Sequence, residues 1–313
     1  MKISGLDNAV LLLDKPAGIT SFDTISRVKR AGRIRKIGHS GTLDKFASGL
    51  LVVCTGQATK LTRYFLESDK RYTGSIKLGM ATDTCDITGE VVSHSGLEGI
   101  DEERVRAAMA EFMGRSVQIP PEYSSLKIGG ERASDRARRG EKVVLEGRNI
   151  RVYRADITGM DLGQGKVDFD IACSKGTYIR SIARDLGEKL GTGACLSALR
   201  RVESGRFSID HAARPDDVAE FAAGNLEAFF AIDPASALAD FGRVVLNESG
   251  ASRAFNGAFF HREEVLTMDN RDKYPYVIFD SHDEIIAIAE IETETWQINY
   301  HSVFNAVNEF KLQ

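Results

Sequence analysis

Gly38-His39-Ser40-Gly41-Thr42-Leu43-Asp44, separated by five residues from the apolar run Leu50-Leu51-Val52-Val53-Cys54, is the stretch on which the reading of this chain turns. The apolar run reads as a hydrophobic strand. The glycines ahead of it let the backbone approach a bulky substrate or turn through positive φ, and loops on a rigid scaffold carry a large share of chemistry. One carboxylate, Asp44, therefore stands at a strand mouth as a candidate nucleophile or base. An Asp so placed also serves as a turn-former or helix cap, and the loop alone leaves both readings open.

Upstream, Ala9 to Leu13 reads as a buried strand closed by Asp14-Lys15-Pro16-Ala17-Gly18, where the proline cannot continue a ladder. Thr20 and Asp23 form a capping box. Phe22, Ile25 and Val28 then recur at helical spacing, which leaves Arg27, Lys29 and Arg30 mainly outward. With Arg33, Arg35 and Lys36 this is the densest basic cluster in the chain, a solvated face or a phosphate-contacting one.

Downstream, residues 58–66 look helical and Tyr72 to Leu78 alternates like a strand. Turn residues from Thr82 to Gly89 precede Glu90 to Val92, which predicts a hairpin. Val105, Ala108, Met109 and Phe112 share one face of a helix over 101–113. Residues 124–150 are short of large apolar side chains and rich in Arg and Gly, the composition of a basic insertion arm. Alternation in Val167, Phe169, Ile171 and Cys173 gives a half-buried strand leading through Ser174-Lys175-Gly176-Thr177 into a helix over 178–190, closed by Gly191. Tyr178 and Arg180 fall in its first turn. Residues 210–238 read as a helical linker, and the short apolar runs at 244–246, 276–279 and 285–291 fit a small β-barrel or sandwich.

The chain has 313 residues, 42% of them hydrophobic, which suits two domains. No apolar run approaches the roughly 20 residues needed to span a bilayer, so a cytosolic protein is expected. Cys54, Cys85, Cys173 and Cys195 are widely separated and read as buried free thiols. The net charge of −4 hides an asymmetry: residues 1–210 hold 34 Lys and Arg against 27 Asp and Glu, while residues 211–313 hold 7 against 18. A basic body beside an acidic tail points to a polyanionic partner.

Taken together, the segments resemble the bacterial tRNA pseudouridine-55 synthase family, TruB. The carriers run from Val10 to about Arg201: Leu12-Leu13-Asp14-Lys15-Pro16, the Gly38 to Asp44 loop, Gly56-Gln57-Ala58-Thr59-Lys60, Asp69-Lys70-Arg71-Tyr72, Thr82-Asp83-Thr84, Pro120-Pro121-Glu122-Tyr123-Ser124-Ser125-Leu126-Lys127, and Cys173-Ser174-Lys175-Gly176-Thr177-Tyr178-Ile179-Arg180-Ser181. Two departures stand out. Lys45 replaces the usual proline after the aspartate, and the block from Arg132 to Gly140 lacks a tyrosine expected near Ser134 or Asp135.

The resemblance implies an α+β pseudouridine-synthase fold with a mixed, largely antiparallel central sheet flanked by helices. A catalytic domain over 1–239, with the arm at about 124–150, precedes a small PUA-like β-barrel over 240–313. It implies isomerisation of uridine 55 in the T-loop of tRNA by base flipping, without cofactor or metal. It assigns catalysis to Asp44, Tyr72 and Arg180, and the base pocket to Tyr178 and Leu199. His39 would fill the space left by flipped nucleotides, and Lys15 would support the cleft or contact phosphate. The implied partner is the tRNA T-arm, bound by a monomer with no membrane and no obligate protein partner.

Three rival readings fit the sequence less well. A non-catalytic RNA-binding protein is disfavoured by intact Asp44, Tyr72 and Arg180. A nucleotide-dependent enzyme is disfavoured because the sequence has no P-loop and no G-x-G-x-x-G between strand and helix. A guide-dependent relative acting on other RNAs is disfavoured by the compact N-terminus, which has no basic extension.

Overall fold

The computed structural model describes residues 6–222, 229–269 and 275–304. The strands Val10–Lys15, Ser48–Thr55, Lys70–Leu78, Lys166–Cys173 and Ala194–Ser204 build the middle of a ten-stranded sheet. From one side to the other the path runs Ala231–Ile232, Val10–Lys15, Ser48–Thr55, Ala194–Ser204, Lys70–Leu78, Lys166–Cys173, Arg148–Asp161 and Gly114–Gln118. All neighbours along it are antiparallel except Ser48–Thr55 and Ala194–Ser204, which meet in parallel at Arg200↔Ser48 and Arg201↔Gly49. The expected mixed, largely antiparallel sheet is present.

Leu50 to Cys54 are all fully buried, because Val10–Lys15 covers one edge of their strand while Ala194–Ser204 and Ile37–His39 share the other. The Asp44 loop is thus the connection of a hairpin, with Gly38 opposite Cys54 and His39 opposite Val53. Gly49 makes the crowded strand start possible. Its φ is +104°, and a Cβ there would lie 2.3 Å from the Arg201 carbonyl oxygen.

The helix Ser21–Ala31 begins with the expected capping box: the Thr20 hydroxyl accepts from the Asp23 amide while Asp23 accepts from the Thr20 amide. Ile25 and Val28 are buried as their spacing predicts, but Phe22 is 71% exposed and does not join the apolar face. Ser21, one residue earlier, docks instead. Its hydroxyl accepts from the Leu43 amide at 2.9 Å, so the helix start holds the Asp44 loop. The second capped helix, Ile179–Leu190, lays Ile179, Ile182, Ala183, Leu186 and Leu190 into the core and ends at Gly191 with φ 73°.

Three expectations need correction. A hairpin does form near residue 90, but its arms are Met80–Thr82 and Val91–His94; Lys70–Leu78 pairs instead with Lys166–Cys173 and Ala194–Ser204. The segment 210–238 is not one helix. It holds Pro215–Ala222, the short strand Ala231–Ile232 that adds to the main sheet, and Pro234–Ala237, while its residues 223–228 lie outside those described. Thirdly, the C-terminal strands form a five-stranded mixed sheet, ordered Val265–Asp269, Gly242–Leu246, Tyr276–Phe279, Ile285–Glu292, Gln297–Val303, and no closed barrel is seen among the described residues. All four cysteines are free and buried, as expected.

The hydrophobic core runs without a break past residue 239. Val277, Phe279, Ile285, Ile288 and Phe304 of the C-terminal sheet pack in one cluster with Val10, Leu12, Leu50, Val52, Leu61 and Phe65. Lys60 Nζ donates to the Val303 carbonyl at 2.6 Å across the same junction. The Phe279→Ala variant is therefore expected to lose about 3–5 kcal/mol and to lower the melting temperature of the whole chain in one calorimetric transition. An unchanged high-temperature transition beside a new low-temperature one would show that the C-terminal sheet melts independently.

Candidate active site

A loop, two strands and a helix start converge on one cavity of about 510 Å³. Asp44, Tyr72, Tyr178, Arg180 and Leu199 all line it, so five of the seven residues singled out in the sequence meet there. Asp44 comes from the hairpin loop, Tyr72 from Lys70–Leu78, Tyr178 and Arg180 from the start of the helix Ile179–Leu190, and Leu199 from Ala194–Ser204. Strand alternation sorts the Lys70-Arg71-Tyr72 run. Lys70 and Tyr72 face the cavity, while Arg71 points to the other face and binds Asp170 at 2.6 Å and Glu203 at 2.7 Å.

Arg180 is the hub. Its Nε lies 2.9 Å from Asp44 Oδ2, and its Nη2 donates to Asp44 Oδ1 at 3.2 Å. Nη2 also donates to the Tyr123 carbonyl at 3.0 Å, and Nη1 donates to the Thr84 carbonyl at 2.9 Å. Asp86 stands 3.5 Å from Nη1. The Arg180 and Asp86 side chains are 6% and 5% exposed, whereas Asp44 is 40% exposed and opens into the cavity. Burial among protein groups pushes the Asp44 carboxyl up from its ordinary value; Arg180 opposes the shift and Asp86 adds to it.

Tyr178 occupies the position just before the first helical residue, where amides lack intrahelical partners. Its amide donates to Gln118 Oε1 at 2.8 Å, and Gln118 Nε2 returns a bond to its carbonyl at 3.1 Å. Burial raises the phenols of both Tyr178 and Tyr72, so each ring stays protonated and can donate.

His39 and Lys15 do not line the cavity. His39 ends the strand Ile37–His39, half-buried, and burial together with Arg201 lowers its imidazole. Lys15 is fully buried, and its ammonium donates to the carbonyls of Pro16 at 2.8 Å and Ile19 at 2.7 Å. Burial lowers it to about 8, with Asp44 pulling the other way. Lys45 is exposed, and its carbonyl accepts from the Gly18 amide at 2.8 Å, tying the loop to the turn that Pro16 begins.

Sequence reading missed Asp86, Gln118 and Arg201. Asp86 sat in a block read only as a turn, and Gln118 gave no signal. Arg201 had one: in an alternating strand, Arg200 and Arg201 cannot both face water. Arg200 reaches Asp14 at 2.8 Å on the outer side, and Arg201 is 2% exposed and lines the cavity. The arm supplies Ser125, Leu126, Arg132, Ser134 and Arg138 to the cavity wall.

The direction of the Asp44 shift can be measured. Carbon-13 detection of the carboxyl should find Asp44 titrating above an ordinary aspartate. In Arg180→Gln the midpoint should move further up, because removal of the opposite charge leaves Asp44 and Asp86 facing each other and favours the protonated form. A midpoint that stays put would show that Arg180 does not hold the ionised state.

Comparison with known proteins places this geometry in a family. Residues 29–179 match the model of the TruB family pseudouridylate synthase N-terminal domain, and residues 180–231 match the tRNA pseudouridylate synthase B C-terminal domain. A tRNA pseudouridine synthase B of Clostridium tetani is 40% identical over 80% of this chain and 84% of its own length. One from Prochlorococcus marinus is 36% identical over 95% of this chain and 97% of its own. Among solved structures, the archaeal box H/ACA sRNP Nop10-Cbf5 complex contains a chain of the same fold, with TM-score 0.72 at 23% identity over 96% of this chain and 86% of that one. The chain belongs to the TruB family of pseudouridylate synthases.

Proposed function

We propose that this protein isomerises uridine 55 in the T-loop of tRNA to pseudouridine. The observation that carries the reading is the Asp44–Arg180 pair at the mouth of a cavity walled by Tyr72, Tyr178 and Leu199, in a chain whose relatives bear the name tRNA pseudouridine synthase B. A base inside a folded stem-loop must be flipped out, at a cost of about a few kcal/mol that stacking and hydrogen bonds in the pocket offset.

In the reaction the bond from N1 to C1′ breaks, the uracil turns, and C5 bonds to C1′; the proton on C5 leaves and N1 ends with one. Asp44 acts as its carboxylate, attacking the sugar or the ring or taking a sugar proton. Arg180 keeps that carboxylate ionised against the effect of burial. Tyr72 stacks on the flipped uracil and offers its hydroxyl for proton transfer or orientation. Tyr178 and Leu199 close the base pocket. His39 fills the space the flipped nucleotides leave, and Lys15, bound to two carbonyls, supports the turn under the loop rather than reaching a phosphate.

Residues 1–239 act as the catalytic domain, with the arm from about 124 to 150 closing over the T-loop, and residues 240–313 as a PUA-like module whose acidity gives it little phosphate affinity. The enzyme works as a cytoplasmic monomer without an obligate protein partner. Arg27, Lys29, Arg30, Arg33, Arg35 and Lys36, all exposed, face the phosphate backbone.

Tritium release from 5-labelled uridine in T-arm RNA tests the chemistry. Asp44→Asn should reduce release by at least about 10³-fold while binding tRNA as the parent does. Binding without release by the unmodified protein would favour a non-catalytic RNA-binding role. The affinity should also weaken steeply with salt, with a log–log slope of about −3 or steeper if four or more phosphates are neutralised. A flat salt response would refute the phosphate-gripping surface.

A further inference from the structure

Arg201 is the bulkiest fully buried side chain among the described residues, 2% exposed. Its Nε donates to the Leu50 carbonyl at 2.7 Å and its Nη2 to the Gly41 carbonyl at 3.1 Å. One guanidinium thereby bridges both ends of the loop that carries Asp44. On the neighbouring strand its register partner is Tyr72, and both residues line the cavity. The backbone is shaped around it: Gly49 packs against its main chain, and a Cβ on Gly41, where φ is +107°, would sit 3.3 Å from Nη1.

Among the described residues, the hydrogen bonds of the Arg201 guanidinium go to backbone carbonyls, not to carboxylates. A buried cation without a counter-ion is costly, and well-packed apolar side chains of similar volume would join these strands as well or better. Its charge also reaches Lys15, His39 and Lys70, and contributes to the lowering of all three. What Arg201 supplies that an apolar residue would not is a planar fork of donors able to hold several acceptors at fixed angles.

We propose that Arg201 is a positioning residue for the isomerisation: it locks the Asp44 loop to the strand of Tyr72 and so fixes the carboxylate and the phenol relative to each other. The role rests on the function proposed above. It acts through these two groups, where a misplacement of about 1 Å can cost a rate on the order of 10²-fold. Lysine keeps the charge but lacks the planar fork that meets the Leu50 and Gly41 carbonyls at fixed angles; methionine loses both.

The test is single-turnover conversion of T-arm RNA by saturating enzyme, with Kd measured in parallel, for the wild type, Arg201→Lys, Arg201→Met, Tyr72→Phe and the Arg201→Met/Tyr72→Phe pair. The expected result is a loss of about 10²-fold in Arg201→Met with Kd changed less than about threefold, a smaller loss in Arg201→Lys, and a double loss well short of the product of the single ones. Three results would overturn the role: a rate in Arg201→Met within about twofold of wild type, a loss confined to Kd, or multiplicative losses in the double variant. Failure of Arg201→Lys to fold would overturn it too, because the residue would then build the sheet rather than set the site. Absence of conversion by the wild type defeats the proposed function instead, so the two failures are distinct.

Discussion

The contact on which the rest of the structure depends is the ion pair of Arg180 with Asp44. A guanidinium 6% exposed must be satisfied, and here the hairpin loop, the turn at Thr84 and Asp86, and the base of the arm at Tyr123 all supply acceptors to it. Each comes from a different part of the chain. The sheet order brings them together: Ser48–Thr55 and Lys70–Leu78 flank Ala194–Ser204, and the helix Ile179–Leu190 lies between the strands on either side of it in sequence.

Electrostatic balance explains why the site has this composition. Burial pushes the Asp44 carboxyl up, and a second acid, Asp86, pushes in the same direction. Arg180, held at close range by carbonyls as well as carboxylates, opposes that shift. A buried ion pair of this kind is a poor source of stability, since desolvation offsets its Coulomb attraction. Its presence at the mouth of a cavity is better explained by chemistry. Lys15 and Lys70 are two further buried ammonium groups, lowered to about 8 by burial and bound to carbonyls at turn and helix ends.

Much of the fold was legible because it is written locally. The capping box at Thr20, the apolar stripe from Ile179 to Leu190, the glycine at 191 and the buried run from Leu50 each follow from spacing within a dozen residues. What failed was decided by distant partners. Phe22 has the right spacing for a core face, yet Ser21 docks on Leu43, 22 residues away, and turns the ring outward. Tyr72 to Leu78 reads as a hairpin arm, but the strand it belongs to, Lys70–Leu78, has its partners near residues 170 and 200. Gln118 binds Tyr178 across 60 positions and Arg201 binds Gly41 across 160, separations at which a single sequence carries no pattern. The C-terminal runs were read as strands correctly, but strand spacing does not say whether a sheet closes on itself.

The site residues Asp44, Tyr72, Arg180, Tyr178 and Leu199 were found through motif order rather than periodicity, and the cavity gathers them. The account stands or falls on where the protein leaves its mark in the cell. Mapping pseudouridine across tRNA from cells with the gene intact, deleted, and restored as wild type or as Asp44→Asn is the most direct measurement. The account predicts loss of one T-loop pseudouridine on deletion, recovered by the wild type and not by the aspartate variant. An unchanged T-loop signal on deletion, or full recovery by Asp44→Asn, would contradict it.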